Sequence, residues 1–492
     1  MSERFNMLSG YKHAPQTLGR VLVLGLGKSG RAVSEYCAEL LGSRVASLHV
    51  AGGAYSEENE AFAQNLRKKG AHVVFDTYRF DEHYDVCIAS PGIAEGSEFY
   101  QAAFAASTEL ISEVEFAWRE SAADSYWIAI TGTNGKTTTT SMITHILNRA
   151  HLAASAVGNI GTTCIEAVAA KSTTHYVVEV SSYQLASIKF FAPNVAVLLN
   201  ITPDHISWHG DFQHYKEAKL KLFSNLEKSE GAVAILNASD DETRCYVKHI
   251  NAIPENQRGF SYIPIGAKGG LACDMRAICA SQNAAFIEDD MFVVAWDGVV
   301  LHPGAVSDLR VKGLHNIVNA LASASAALVA GVDSIIIASA LSTFDALEHR
   351  IEPCGSIEGV ACYNDSKATN VDATLVALSA FGDQKPIVLL GGYDKGTELD
   401  ALVAAAENHA KAVVCYGAAG PRFMQAFAAS SLPSLLKKNL EQALDQALNL
   451  AQEGDVVLLS PACASFDEFS SFEHRGEEFK AYVQQRSSER GE

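Results

Sequence analysis

Short apolar runs alternate along this chain with longer stretches in which apolar residues return every third or fourth position, and each run breaks on glycine or a polar cluster. The runs Arg20–Leu24, Arg44–Val50, Val86–Ala89, Trp127–Ile130, His175–Val180, Asn194–Leu199, Ile387–Leu390, Ala412–Tyr416 and Val456–Leu459 read as strands. Between them lie helical patterns, among them Arg31–Leu41, Phe212–Leu226 and the Ala-rich Asn316–Ala330. Strand and helix in alternation predict parallel sheets covered by helices, an α/β architecture. The stretch Asn251–Asp308 is less regular, with Gly-rich turns and short β-like runs, and reads as an insertion; a last βα alternation begins at Val360.

The chain has 492 residues. At ~150 residues per domain that is too long for one core and suggests about three domains. Hydrophobic content of 48% with 19% charged residues is ordinary for a globular protein and excludes extended disorder. A formal charge of −19 argues against a nucleic-acid-binding or acidic-membrane surface. Met1–Arg20 lacks the apolar core of a secretory signal, and no stretch approaches the ~20 apolar residues of a membrane span, so a cytoplasmic protein is expected. Ten cysteines without a C-x-x-C pair read as reduced, mostly buried side chains.

The candidate chemistry concentrates where strands end. Trp127–Thr139 joins a β-like run to Gly132-Thr133-Asn134-Gly135-Lys136-Thr137-Thr138, the anatomy of a phosphate-binding loop. Its glycines let backbone N–H groups face an anion, Lys136 reaches the β- and γ-phosphates, and Thr137 suits Mg²⁺. Ile130 stands where the commoner G-x-x-x-x-G-K-[ST] spacing has its first glycine. Gly25-x-Gly27-x-x-Gly30 resembles a dinucleotide-binding turn, but the second strand ends in His49-Val50-Ala51-Gly52-Gly53, without the acid that would hold an NAD ribose. Ser90-Pro91-Gly92 follows the strand Val86–Ala89 at an edge where open sheets bind ligands.

Glu179-Val-Ser-Ser182 and Asn200-Ile-Thr-Pro-Asp204-His205 also follow strands, and several polar groups converging on one phosphate-loop sheet favour metal and phosphate work. On the helix that follows, Tyr215, Ala218, Leu222, Phe223 and Leu226 form an apolar stripe with Lys219 in its middle. That lysine reads either as a side chain snorkelling past the core edge or as a desolvated amine able to take up carbon dioxide as a carbamate, which turns a cation into a metal ligand. Lys312–Asn319 supplies amides at a helix start, fit for a base or for capping. Asn364–Asn370, Gly391–Lys395 and Ser460–Asp467 are three polar strand-end loops that together look like a substrate site.

On these residues the chain resembles the Mur ligases, with Gly132–Thr137, Gly158-Asn-Ile-Gly161, Glu179–Ser182, Asp204-His205, Gly313–Asn316 and His349-Arg350 marking the family. Asn364-Asp-Ser-Lys-Ala-Thr-Asn370 and Ser460-Pro-Ala-Cys-Ala-Ser465 point to its D-glutamate-adding members. The resemblance implies a Rossmann-like domain at 1–114 for a UDP-sugar, a P-loop ATPase-like domain with a mainly parallel sheet at 115–347, and a Rossmann-like amino-acid-binding domain at 348–492. It implies ATP-dependent ligation of D-glutamate to UDP-N-acetylmuramoyl-L-alanine through an acyl phosphate, by a cytoplasmic monomer acting on small molecules in peptidoglycan precursor synthesis.

The same resemblance distributes roles. Gly132 to Thr138 would bind ATP; Thr137 and Glu179 would hold one Mg²⁺, and His205 and a carbamylated Lys219 a second. Asn316, Asn319, Arg350 and Asp365 fall to the nucleotide, Ser29, Gly92, Asn159, Ser182 and His205 to the UDP-substrate, and Lys367, Thr369, Lys395, Ser465 and Phe472 to D-glutamate. Two departures weaken the uridine side: Lys28 follows Gly27, and His49–Gly53 lacks a Thr-Arg pair. The competing expectations are another Mur ligase, a folylpolyglutamate-synthase-like ligase, or a nucleotide-binding regulator that keeps the loop without turnover.

Overall fold

The computed structural model describes residues 7–267, 281–311, 313–394 and 396–489. Among the described residues the strands form three sheets. The first is wholly parallel, in the order His72–Val74, Val45–Ala51, Gly19–Leu24, Tyr84–Ala89, Ser107–Ser112. Its chain order reverses beside Gly19–Leu24, so the turns Gly25–Gly30 and Ser90–Gly92 leave adjacent strands at the switch point, the usual ligand crevice of an open sheet.

The second sheet has nine strands, in the order Val299–Leu301, Met291–Trp296, Ala284–Glu288, Ser261–Ile265, Val233–Asn237, Val195–Leu198, Tyr126–Thr131, His175–Glu179, Ala154–Gly158. The seven strands from Ala154–Gly158 across to Ala284–Glu288 run parallel, the last two of them from the Asn251–Asp308 stretch, which then extends the sheet with two antiparallel hairpin pairings. The region read as an insertion is therefore sheet edge, with 268–280 outside the described residues. Both hairpin turns are two residues in the left-handed region, Asp289-Asp290 and Asp297-Gly298, which match the right-handed twist of their strands.

The third sheet orders Glu352–Ile357, Val360–Asn364, Val456–Leu459, Ile387–Gly391, Ala412–Tyr416, Ser434–Leu436, with only the first pair antiparallel. The last alternation thus begins one strand before Val360. Its central strands are buried on both faces, as Leu389, Val414 and Leu458 illustrate, with helices packed on each side. By packing, the chain separates into Met1–Ser307 with Val318–Leu341, and Asp308–Ile317 with Ser342–Glu492.

One helix differs from expectation. The pattern Phe212–Leu226 resolves into an α-helix at Phe212–Leu220, then 3₁₀ turns at Lys221–Phe223 and Leu226–Lys228. Tyr215, Ala218, Leu222, Phe223 and Leu226 are nonetheless all buried. Tightening to three residues per turn kept the stripe inward without keeping the helix.

Candidate active site

Sheet order builds the site of the first unit. The strand Tyr126–Thr131 lies between His175–Glu179 and Val195–Leu198, with Ile130 level with Glu179 and Thr131 level with Leu198. The loop after Thr131 is consequently flanked by the Glu179–Ser182 turn and by Asn200. Asn200 clamps it: its Oδ1 accepts from Asn134 N at 2.8 Å, its Nδ2 donates to Asn134 O at 3.1 Å, and its carbonyl accepts from Thr133 N at 3.0 Å. Thr133 Oγ1 also lies 2.9 Å from the Tyr215 hydroxyl.

Gly135, at φ 86°, caps the helix Lys136–Arg149. A Cβ there would come within 2.6 Å of Asn319 Oδ1, so glycine is required by both backbone and neighbour. Thr137 and Thr138 lie buried in the first turn. Lys136 Nζ donates to Gly132 O and Thr133 O, each at 2.8 Å, which holds it over the loop.

Lys219 is only 2% exposed. Its Nζ donates to Gly132 O at 2.8 Å and stands 4.7 Å from the centre of the Tyr215 ring. Burial, and then the charge of Lys136, hold its pKa well below the ordinary lysine value, opposed by Asp204 and Glu179. Of the two sequence readings, snorkelling is excluded, because the amine points into the protein.

Glu179 is buried, with Oε1 accepting from Asn159 Nδ2 at 2.8 Å while Oε2 has no hydrogen-bond partner. An orphaned buried carboxylate oxygen beside a phosphate loop fits a divalent cation. Among the described residues no three His, Cys, Asp or Glu side chains form a ready metal cluster. Mg²⁺ needs no such cage, since it takes one or two carboxylates and fills its shell with phosphate oxygens and water. His205, half-exposed, sits in the left-handed region at φ 55° with Nε2 3.5 Å from Asp204 Oδ2.

Ser181 and Gln184 form a capping box that starts the helix Ser182–Ala186. Ser182 Oγ lies 2.9 Å from His209 Nε2. Burial, aided by His205 and Lys219, pushes the His209 pKa down to about 4, so the ring is uncharged at neutral pH. At the first sheet's switch point, a Cβ on Gly30 would come within 1.9 Å of Gly25 O, so Ser29 is presented on a turn that only glycine closes. Lys28 Nζ hydrogen-bonds Gly161 O, tying this turn to the Gly158–Gly161 loop that carries Asn159. Gly92 lies on the neighbouring turn.

In the second unit, three strand-end loops are stitched together. Asp365 N donates to Leu459 O at 2.7 Å, Gly391 N to Pro461 O at 3.0 Å, and Tyr393 N to Ala464 O at 2.8 Å. Arg475, fully buried, donates to Ser366 Oγ, Ser366 O, Cys463 O and Ala464 O at 2.7 to 3.2 Å. Lys367 Nζ stands 4.8 Å from the Phe472 ring centre, Thr369 N donates to Lys367 O, and Ser465 is buried in the adjoining loop. Lys395 lies outside the described residues.

Nearby, Arg310, Asn316, Asp345, Arg350, Glu352 and Tyr363 line a cavity of about 400 Å³, large enough for part of a nucleotide. Asp365 backs it: Oδ2 accepts from Ser460 Oγ at 2.8 Å and Oδ1 from Ile351 N at 3.2 Å. Burial raises its pKa to about 7 against the pull of Ser460 and Arg350. Asn316 thus belongs to this cavity, whereas Asn319, three residues on, lies against the phosphate loop.

Sequence reading named Asn200 only as the start of a polar strand-end stretch and Tyr215 only as part of an apolar stripe, and it passed over His209 and Arg475. Each acts across at least 27 positions, through neighbours that only the sheet order supplies.

Residues 130–327 match the Mur ligase middle domain, and residues 349–463 the Mur ligase glutamate ligase domain. The chain is 36% identical over 475 residues to the UDP-N-acetylmuramoylalanine--D-glutamate ligase of Thermoanaerobacter pseudethanolicus, covering 94% of this chain and 98% of that one. Identity is also 36%, over 465 residues, to the same-named ligase of Geobacillus sp. strain WCH70, covering 94% and 96%. In fold it is similar to MurF of Acinetobacter baumannii (TM-score 0.57, 18% identity, 94% and 93% of the two chains). UDP-N-acetylmuramate-alanine ligase of Thermotoga maritima gives a TM-score of 0.54 at 18% identity, over 95% and 99%.

Proposed function

Because this chain belongs to the Mur ligase family, we propose that it joins D-glutamate to UDP-N-acetylmuramoyl-L-alanine, converting ATP to ADP and phosphate, in peptidoglycan precursor synthesis. The observation that carries the choice of amino acid is the near full-length likeness to ligases named for it. The phosphate loop and the uncommitted Glu179 oxygen support the chemistry.

A free carboxylate does not condense with an amine at useful rates, so it is first phosphorylated. An oxygen of the alanyl carboxylate attacks the γ-phosphorus of ATP, the bond to the bridging oxygen breaks, and ADP leaves. Both reactants are anions; Lys136 and the loop N–H groups offset that charge where it accumulates. Thr137 and Glu179 would hold one Mg²⁺, and His205 and a carbamate on Lys219 a second, and ions bound there would neutralise further charge. The amine of D-glutamate then adds to the acyl carbon, and phosphate is expelled as the amide forms.

In this reading Asn316, Asn319, Arg350 and Asp365 hold the nucleotide. Ser29, Gly92, Asn159, Ser182 and His205 hold the UDP-substrate, and Lys367, Thr369, Lys395, Ser465 and Phe472 hold D-glutamate. Domains at 1–114, 115–347 and 348–492, one per sheet, and a cytoplasmic monomer complete it. The test is steady-state phosphate release: the reading requires dependence on both UDP-N-acetylmuramoyl-L-alanine and D-glutamate. Release from ATP alone, or none with all three present, refutes it.

A further inference from the structure

Two adjacent serines follow Glu179, and they have different employments. Ser181 is spent on the capping box of its own helix. Ser182 is buried, and the imidazole it meets comes from 27 residues later in the chain, His209 Nε2 at 2.9 Å from Ser182 Oγ. That imidazole is held by rings on several sides: Tyr183 stacks at 5.7 Å, Tyr215 meets it edge-on at 5.4 Å, and Trp208 lies at 4.4 Å. A packed ring has little freedom to turn away, so the serine hydroxyl has a fixed partner.

We infer that His209 is a positioning residue for the UDP-substrate: through the Nε2 contact it fixes the Ser182 hydroxyl as a hydrogen-bond donor toward an anionic oxygen of that ligand. The inference rests on the reading that Ser182 faces the UDP-substrate. A neutral imidazole carries one N–H. With the proton on Nδ1, Nε2 accepts from the hydroxyl and the serine proton is used up on the ring. With the proton on Nε2, the ring donates to Oγ and the serine proton is free to point elsewhere. An anionic oxygen only accepts, so it selects the second arrangement, and a donor held in place by a second donor loses less on binding than a freely rotating hydroxyl.

The experiment compares His209→Phe, which keeps a packed ring and removes the donor, with His209→Gln, whose amide N–H reaches about the same place as Nε2–H. His209→Phe should raise KM for UDP-N-acetylmuramoyl-L-alanine roughly tenfold, with KM for ATP and D-glutamate unchanged. His209→Gln should restore most of the loss, and His209→Phe should add nothing further in a Ser182→Ala background. Nitrogen NMR of the histidine-labelled enzyme with the UDP-substrate bound, the signal assigned by its loss in His209→Gln, should show the proton on Nε2. Additive effects of the two substitutions, an equal defect in Gln and Phe, or a proton on Nδ1 overturns the inference. Failure of the wild-type enzyme to use the UDP-substrate at all would instead remove the functional reading on which it rests.

Discussion

Lys136 and Lys219 donate to the same acceptor, the carbonyl oxygen of Gly132, each at 2.8 Å. One comes from the loop's own helix and is set for phosphate; the other comes from a helix 83 residues later and is enclosed by protein. Two ammonium groups cannot share one oxygen cheaply, and burial, then the charge of Lys136, holds the Lys219 pKa well below the ordinary lysine value. In the proposed reading Lys136 is the cation that meets the phosphate, and Lys219 is the amine that carries the carbamate.

Removing the cation tests the first half of this division. Lys136→Ala should lower the ligation rate by on the order of 10²-fold or more, the usual effect of deleting one preorganised charge contact. The thermal unfolding midpoint should stay close to wild type, because the bonds from Lys136 Nζ to Gly132 O and Thr133 O lie within its own loop. Turnover near the wild-type rate would mean that phosphate is bound elsewhere.

Lys219→Ala tests the second half. The variant should be nearly inactive, and acetate or formate, small enough to occupy the vacated ligand position, should return part of the rate. Lys219→Arg should respond to neither, since it stays charged and forms no carbamate. Full activity of Lys219→Ala without added carboxylate contradicts the carbamate.

Asp365 makes a prediction about pH. Its folded pKa, about 7, lies above the ordinary carboxylate value of 3.8. The folded protein therefore binds the proton more tightly than the unfolded chain, and the stability this gives is lost as pH rises from about 4 to 7. Asp365→Asn lacks the slope. Between pH 5 and pH 8 the Asn variant should gain on the wild type by on the order of 1–3 kcal/mol, read from urea unfolding of the two proteins side by side. If the wild type gains instead, Asp365 is a paired carboxylate in the folded state.

The parts legible in the sequence are those whose cause is local. A strand, two glycines and Lys-Thr suffice to place the phosphate loop, and Glu179 and the Asn364–Asn370 tract announce themselves by ending strands. What escaped is set by neighbours in space. Asn200 clamps Asn134 only because Val195–Leu198 comes to lie beside Tyr126–Thr131, and Arg475 serves Ser366 from 109 residues away. The true end of the Phe212 helix was hidden because 3₁₀ turns kept its apolar residues buried. The antiparallel edge of the central sheet did leave a local sign in Asp297-Gly298, a hairpin pair between two β-like runs, which the irregularity around it obscured.

The central claim is the identity of the bond this enzyme makes. With ATP, Mg²⁺ and UDP-N-acetylmuramoyl-L-alanine supplied, a panel of amino acids including D-glutamate, L-glutamate and D-aspartate is followed by phosphate release and by the mass of the product. D-glutamate should give a product heavier by one glutamyl residue, with the other two far slower, because a site that pairs two carboxylates at one separation and handedness leaves buried groups unpaired with the wrong ligand. Equal use of L-glutamate, or a product carrying a different amino acid, would contradict the account.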